Sequence, residues 1–207
     1  MPENLHKLFV ISSPSGGGKT SLINKLFEDS RSMNFKKSIS DTTRQKREGD
    51  INGRDYYFLS EKEFKDKIEK EEYVEYASVF GNFYGTSKEE IKTKYNNSNL
   101  ILELDWQGAY AVKELFDDAK LIFLVPPSLD DLKQRLIKRN LDSSEAIESR
   151  LSEAKKEISK SEMYDYLVLN DDFDKAFEDL SQILFEGISP IDFNSRASKD
   201  LIKRLVE

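Results

Sequence analysis

Apolar residues along this chain follow two rhythms. Short runs with little alternation, at residues 7–11, 56–59, 100–104, 121–125 and 166–169, have the composition of strands. Several are apolar almost throughout, as expected of parallel strands covered on both faces. Between them the apolar positions recur every three or four residues, at 19–28, 61–69, 107–116, 129–139, 144–159 and 173–186, which predicts helices with one buried face. Strands alternating with helices predict an α/β fold, a parallel sheet flanked by helices.

Two stretches interrupt the alternation. Between about residues 35 and 95, "GDINGRDYYF" and "GNFYGTS" mix aromatics, glycines and turn formers, which predicts an inserted, partly antiparallel subdomain. The polar segment "KRNLDSSEAIESR" separates two charged helices. After Ser189 a short basic amphipathic tail, "SRASKDLIKRLVE", predicts a helix that docks on the surface or on a partner. With 207 residues, 38% of them hydrophobic, and no repeat or Pro/Ser-rich linker, one domain with two mobile appendages is the economical reading.

Composition narrows the chemistry. The chain has no cysteine and one histidine, His6, which argues against disulfides and a zinc site. No apolar stretch approaches the ~20 residues needed to cross a bilayer, and the start of the chain lacks a secretory pattern, so the cytosol is the expected location. A net charge of −7 argues against non-specific nucleic-acid binding, and no membrane partner is expected. It leaves room for small anions, because cations gather locally in "TTRQKREGDINGR" as Arg44, Lys46, Arg47 and Arg54.

The most informative segment is "SSPSGGGKTS", residues 12–21, lying between a predicted strand and a predicted helix. Successive backbone N–H groups in such a turn can surround an oxyanion, the helix start adds its positive dipole end, and small residues let the backbone approach closely. In that setting Lys19 pairs with the β- and γ-phosphates and the Thr20 hydroxyl holds Mg²⁺. Against the pattern G-x-x-x-x-G-K-[ST], Ser13 occupies the first glycine position. The alternative is a flexible glycine-rich turn ahead of a helix. The motif speaks for nucleotide binding and is silent on the reaction.

Taken with "SDTTRQKREGDINGRDYYF", "VEYASVFGNFYGTS", "LELDWQG", "FLVPPSLDDLKQRL" and "VLNDDFDKA", the segment resembles the guanylate kinases in order and spacing, in pattern closest to the bacterial enzymes, over residues 8–186. Bacterial members share the missing first glycine; Lys46 stands where proline is common. The resemblance implies a P-loop NTPase-type sheet with an inserted GMP-binding subdomain (about 35–95), a helical lid (about 133–159), a core of residues 1–34, 96–132 and 160–190, and a tail, 191–207. It implies transfer of the γ-phosphoryl group of ATP to GMP with Mg²⁺, giving ADP and GDP.

Each block then acquires an expected role. Ser13, Pro14, Ser15, Gly16, Gly17, Gly18, Lys19, Thr20 and Ser21 would hold ATP. Arg44 and Arg47, three residues apart, offer planar bidentate donors, and with Ser40, Tyr56 and Tyr84 they resemble the ligands of the GMP phosphate. Taken on composition, the same cations would be a solvated face. Guanine presents two donors, N1–H and N2, beside its O6 acceptor; Glu75 matches the position that accepts from both and Thr86 the one that donates to O6. Read alone, Glu75 is more commonly the outward residue of an alternating strand.

Glu103 and Asp105 end an apolar strand where ligands of open α/β sheets bind, Asp105 also toward the metal through water; their separate duties stay open. Arg135, Arg139 and Arg150 resemble lid arginines that close over the ATP phosphates, and Asn170 resembles a residue at the adenine edge. Lys19, Arg44, Arg135 and Arg150 would carry catalysis, the donor and acceptor anions meeting end to end in one cleft. Phe80, Phe83 and Trp106 read as packing residues. The competing readings are a catalytically inactive guanylate-kinase-like interaction module, disfavoured because Lys19, Thr20, Arg44, Arg47 and Asp105 are all present, and a related kinase of another phosphorylated acceptor. Composition and motifs leave the oligomeric state open.

Overall fold

The structure is a computed structural model that describes residues 6–79, 81–138, 143–192 and 195–207. In chain order its elements are β1 (Leu8–Ser12), α1 (Lys19–Glu28), β2 (Phe35–Lys37), β3 (Asp41–Thr42), β4 (Tyr57–Phe58), α2 (Glu61–Glu69), β5 (Tyr73–Val79), β6 (Asn82–Ser87), α3 (Lys88–Tyr95), β7 (Asn99–Glu103) and α4 (Trp106–Leu115). They continue as β8 (Lys120–Val125), α5 (Leu129–Lys138), α6 (Ser144–Ser159), β9 (Tyr166–Leu169), α7 (Phe173–Ser181) and α8 (Arg196–Val206). Two compact units emerge: the chain up to Phe9 with Asn34–Ala119, and Val10–Met33 with Lys120–Glu207.

In the first unit β2 runs parallel to β7, Phe35 opposite Asn99 and Lys37 opposite Ile101, in the order β2-β7-β1. A second sheet of four strands has the order β4-β3-β6-β5. There β6 is antiparallel to both β3 and β5, while β3 and β4 are parallel, so the insertion is partly antiparallel as its turn chemistry predicts. On β5 exposure alternates: Tyr73, Glu75 and Ala77 are buried and Tyr76 is exposed. Helix α2 carries a full capping box, Ser60 accepting from the Glu63 N–H at 3.2 Å and Glu63 accepting from the Ser60 N–H at 2.7 Å. Helix α4 packs against β5.

In the second unit the order is β1-β8-β9, with β8 parallel to β9 and Val125 opposite Leu169. Residues Leu121–Val125 are wholly buried, which accounts for the unbroken apolar run. Helix α1 packs on α7, burying Leu22, Ile23, Leu26, Ala176 and Leu180. The tail helix α8 lies on α6, burying Leu205, and Lys155 donates to the Glu207 carbonyl at 3.0 Å.

Several expected boundaries shift. The segment expected as one helix over 173–186 is α-helical only to Ser181 and then widens into a π-turn at Gln182–Glu186, closed by Gly187 at φ 70°. Strands β2 and β3, of three and two residues, and helix α3 were not signalled by periodicity. Arg139 and Phe80, both singled out from the sequence, lie outside the described residues.

Candidate functional site

In the second unit the glycine-rich turn follows β1 directly. Gly16 and Gly18 have φ of 89° and 92°, in the left-handed region where side chains are strained, and Gly18 is the N-cap of α1. Gly17 donates to the Pro14 carbonyl at 2.8 Å and sits so close that an added Cβ would lie 2.9 Å from that oxygen and from Ser13 Cβ. Three consecutive glycines thus answer to geometry at each position. Ser13 and Pro14 are buried, Ser15 and Lys19 half-buried, and Thr20 and Ser21 exposed on the first turn of α1.

Three distant residues are tied to this turn. Asn170, 4% exposed at the end of β9, donates from Nδ2 to the Gly17 carbonyl at 2.7 Å. One N–H of its amide therefore holds the loop, a role the sequence did not suggest beside the adenine-edge expectation. Arg135 Nη2 donates to the Asn170 carbonyl at 2.7 Å, and Arg150 Nη1 donates to Ser15 Oγ at 2.8 Å. A pocket of about 330 Å³ opens here, lined by Gly16, Gly18, Ser21, Arg135, Asn170 and Phe173 among others. Its lining sets Arg135 and Lys138 beside the Asp171 carboxylate and the Phe173 ring.

The first unit holds the acceptor-side residues. Arg44 is largely buried, its side chain 12% exposed. It donates to Asp50 Oδ2 at 2.9 Å and to the Gln45 carbonyl at 2.9 Å, with Tyr56 and Phe58 rings 5.3 and 5.5 Å from its guanidinium carbon. Partial burial pushes the Asp50 carboxyl up, but the Arg47 N–H, at 2.8 Å, and the Arg44 guanidinium hold it below the usual carboxylate range. Arg47 is exposed. Tyr56 and Tyr84 meet edge-on at 5.8 Å. Burial, then the Glu103 carboxylate, lifts the Tyr56 phenol well beyond its ordinary value, so it stays a neutral donor.

Glu75 is 5% exposed and Thr86, opposite it on β6, is 0% exposed. Thr86 hydrogen-bonds the Glu75 carboxyl and has its hydroxyl 3.2 Å from that of Ser40. Glu75 Oε1 is buried with no hydrogen-bond partner among the described residues. Burial pushes its pKa up to about 7, and the Asp105 carboxylate adds to this against the opposing Thr86 hydrogen bonds. The outward-facing alternative for Glu75 is thereby removed. Asp105 caps α4, accepting from the Gly108 N–H at 2.9 Å and from Gln107 Nε2 at 3.3 Å. Glu103 pairs with Lys37 at 2.5 Å.

The guanylate kinase family profile matches residues 5–187, nearly the whole chain. The chain belongs to the guanylate kinase family. The guanylate kinase of a Wolbachia endosymbiont of Brugia malayi is 48% identical over 184 residues, 88% of this chain and 93% of that one. The guanylate kinase of Francisella tularensis subsp. holarctica (strain LVS) is 46% identical over 184 residues, 87% of this chain and 97% of its own. The crystal structure of guanylate kinase from Anaplasma phagocytophilum superposes with a TM-score of 0.72 at 32% identity, covering 99% of this chain and 98% of that one. Its α/β architecture is that of this guanylate kinase family member.

Within the family frame, the structure brings Ser13–Ser21, Arg135, Arg150 and Asn170 together in one unit, and Ser40, Arg44, Tyr56, Glu75, Tyr84, Thr86 and Asp105 lie in the other. Sequence reasoning missed Asp50, Lys37 and Gly108, of which only Asp50, inside the basic cluster, left a local signal. Among the described residues no three His, Cys, Asp or Glu side chains are grouped to hold a metal, and no helix is long and apolar enough to cross a membrane. The exposed Thr20 hydroxyl beside the pocket fits a Mg²⁺ ion that takes most of its ligands from water and phosphate oxygens rather than from a protein cage.

The raised pKa of Glu75 has a testable sign. Its ordinary pKa is 4.5 and its folded value about 7, so the folded state binds the proton more tightly. Stability from this group is present below pH 4.5 and is lost as pH rises to 7. Glu75→Gln, which cannot ionise, is expected to melt several degrees higher than the parent at pH 8, with the gap closing toward pH 5, in thermal denaturation without nucleotide. A pH-independent gap would contradict the buried carboxylate as its source.

Proposed function

We propose that these two constellations serve one reaction. Guanylate kinases transfer the γ-phosphoryl group of ATP to GMP, giving ADP and GDP, and this chain is an enzyme of that kind. The turn from Ser13 to Ser21 holds the ATP phosphates through backbone N–H groups, and Lys19 sets its charge on the β- and γ-oxygens. Thr20 and phosphate oxygens would hold Mg²⁺, which would supply charge neutralisation. Arg135 and Arg150 belong to the segment 133–159, read as a lid, and complete the cationic surround while excluding water; Arg139 is assigned with them. The base end of ATP is assigned to the pocket beside Asn170 and Phe173.

On the acceptor side, in the 35–95 insertion, Arg44, Arg47, Tyr56, Tyr84 and Ser40 bind the GMP phosphate, with Glu103 behind them. The attacking oxygen of GMP is already an anion, so no general base is required. The oxygen bonds to Pγ, the bond from Pγ to the bridging oxygen breaks, and ADP departs with the electron pair. The protein's task is to align and neutralise two polyanions.

The observation that carries GMP as acceptor is the buried Glu75 carboxyl, one oxygen of which has no hydrogen-bond partner among the described residues. Guanine fills that need with N1–H and N2, whereas adenine presents an acceptor at N1 and leaves the carboxylate unpaired. The test is a coupled assay of ADP formation with GMP, AMP, CMP and UMP in turn. Consumption of ATP with GMP alone is expected. Silence with all four would favour the interaction-module reading, and faster turnover of another monophosphate would favour a related kinase.

A further inference from the structure

Gly108 stands at the third position of α4, inside a helix and buried, with no left-handed φ to require glycine. Glycine is the poorest helix former after proline, so its presence there calls for a reason. The surroundings supply one. A Cβ built on Gly108 would lie 2.9 Å from Glu75 Oε2 and 3.3 Å from Glu75 Cδ, with Leu104 Cβ at 3.2 Å. The first contact is closer than side-chain atoms tolerate, and the atom that would give way is the far end of a flexible side chain. A methyl group here would therefore press on the buried carboxylate and move it, with Leu104 yielding by a few tenths of an ångström.

We propose that Gly108 is a positioning residue for guanine selection: its missing side chain is the space in which the Glu75 carboxylate stands opposite Thr86. Two further facts fit. The Gly108 N–H donates to Asp105 Oδ1, so the same residue fixes the helix start behind both acids. Helix α4 packs on β5, so Gly108 faces the strand that carries Glu75. The inference rests on the reading of Glu75 as the guanine acceptor.

The test compares Gly108→Ala, Glu75→Ala and the double variant with the parent, measuring kcat/KM for GMP at saturating ATP, KM for ATP, the GMP-to-AMP preference and melting temperature. Gly108→Ala is expected to lower kcat/KM for GMP about tenfold, as a misaligned hydrogen bond to a charged acceptor would, with KM for ATP and melting temperature unchanged. In the Glu75→Ala background the same change is expected to have no effect, because the clash is gone. Parent-like use of GMP by Gly108→Ala, or an equal loss in both backgrounds, would overturn the inference while leaving the role of Glu75 standing. If Glu75→Ala alone keeps the GMP preference, the reading of Glu75 fails and the inference falls with it. Should Gly108→Ala not fold, a folded double variant would still support the clash with Glu75, and an unfolded one would overturn it.

Discussion

Replacing Lys19 with alanine is expected to lower kcat by about 10³-fold or more and leave the melting temperature within a degree or two of the parent. The separation of the two effects follows from where the residue sits. Lys19 opens α1, half-buried, while the face that holds the helix in place is Leu22, Ile23 and Leu26. Alanine is the better helix former, so the helix loses nothing. What is lost is a cation at the point where charge builds up on the transferred group. Single preorganised donors are worth about 10² to 10³ in kcat, and cations on a transferring phosphoryl about 10³ to 10⁵. Lys25→Ala, on the exposed side of the same helix, is the control and should leave kcat unchanged. Steady-state kinetics with circular dichroism melts decides it; Lys19→Ala retaining a tenth of parental kcat would refute the assignment.

Glu75→Ala carries the second large effect, and on a different quantity. The ratio of kcat/KM for GMP to that for AMP should fall by at least about 10³-fold, chiefly through loss of GMP turnover. Sites built to pair a buried polar group can discriminate by about 10⁴ to 10⁵, because the wrong substrate leaves that group unsatisfied. Glu75 has the required setting, a buried carboxyl with one oxygen lacking a partner among the described residues. KM for ATP should not move. An unchanged ratio in parallel assays with GMP and AMP would refute the base-recognition argument.

How much of this was legible in the sequence varied with the kind of interaction. The strand, glycine-rich turn and helix were readable because they are contiguous: three glycines and a lysine occupy neighbouring positions between β1 and α1. The sheet of the second unit was readable because strands such as β8, covered on both faces, cannot be anything but apolar. Glu75 was readable only by resemblance. Alternation in "YVEYASV" fits a charge outward as well as inward, and it is the burial of Tyr73, Glu75 and Ala77 together that decides the face. The pairs Lys37 with Glu103 and Gly108 with Glu75 join segments far apart in the chain, where no local pattern can register them. The same holds for Asn170, whose contact with the Gly17 carbonyl spans most of the chain. Strands of two or three residues are shorter than any period, so β2 and β3 left no trace.

The Asp50 carboxylate across from Arg44 bears on which anions the protein would admit. An arriving phosphate does not meet a bare guanidinium; it exchanges with a counter-ion already on a tether, whose effective concentration is on the order of millimolar or more. An inorganic anion has only its charge to set against that tethered rival. A nucleotide brings its base as a second foothold. That exchange costs every anion at Arg44 alike, and only a substrate with a second point of attachment recovers the loss through its other contacts.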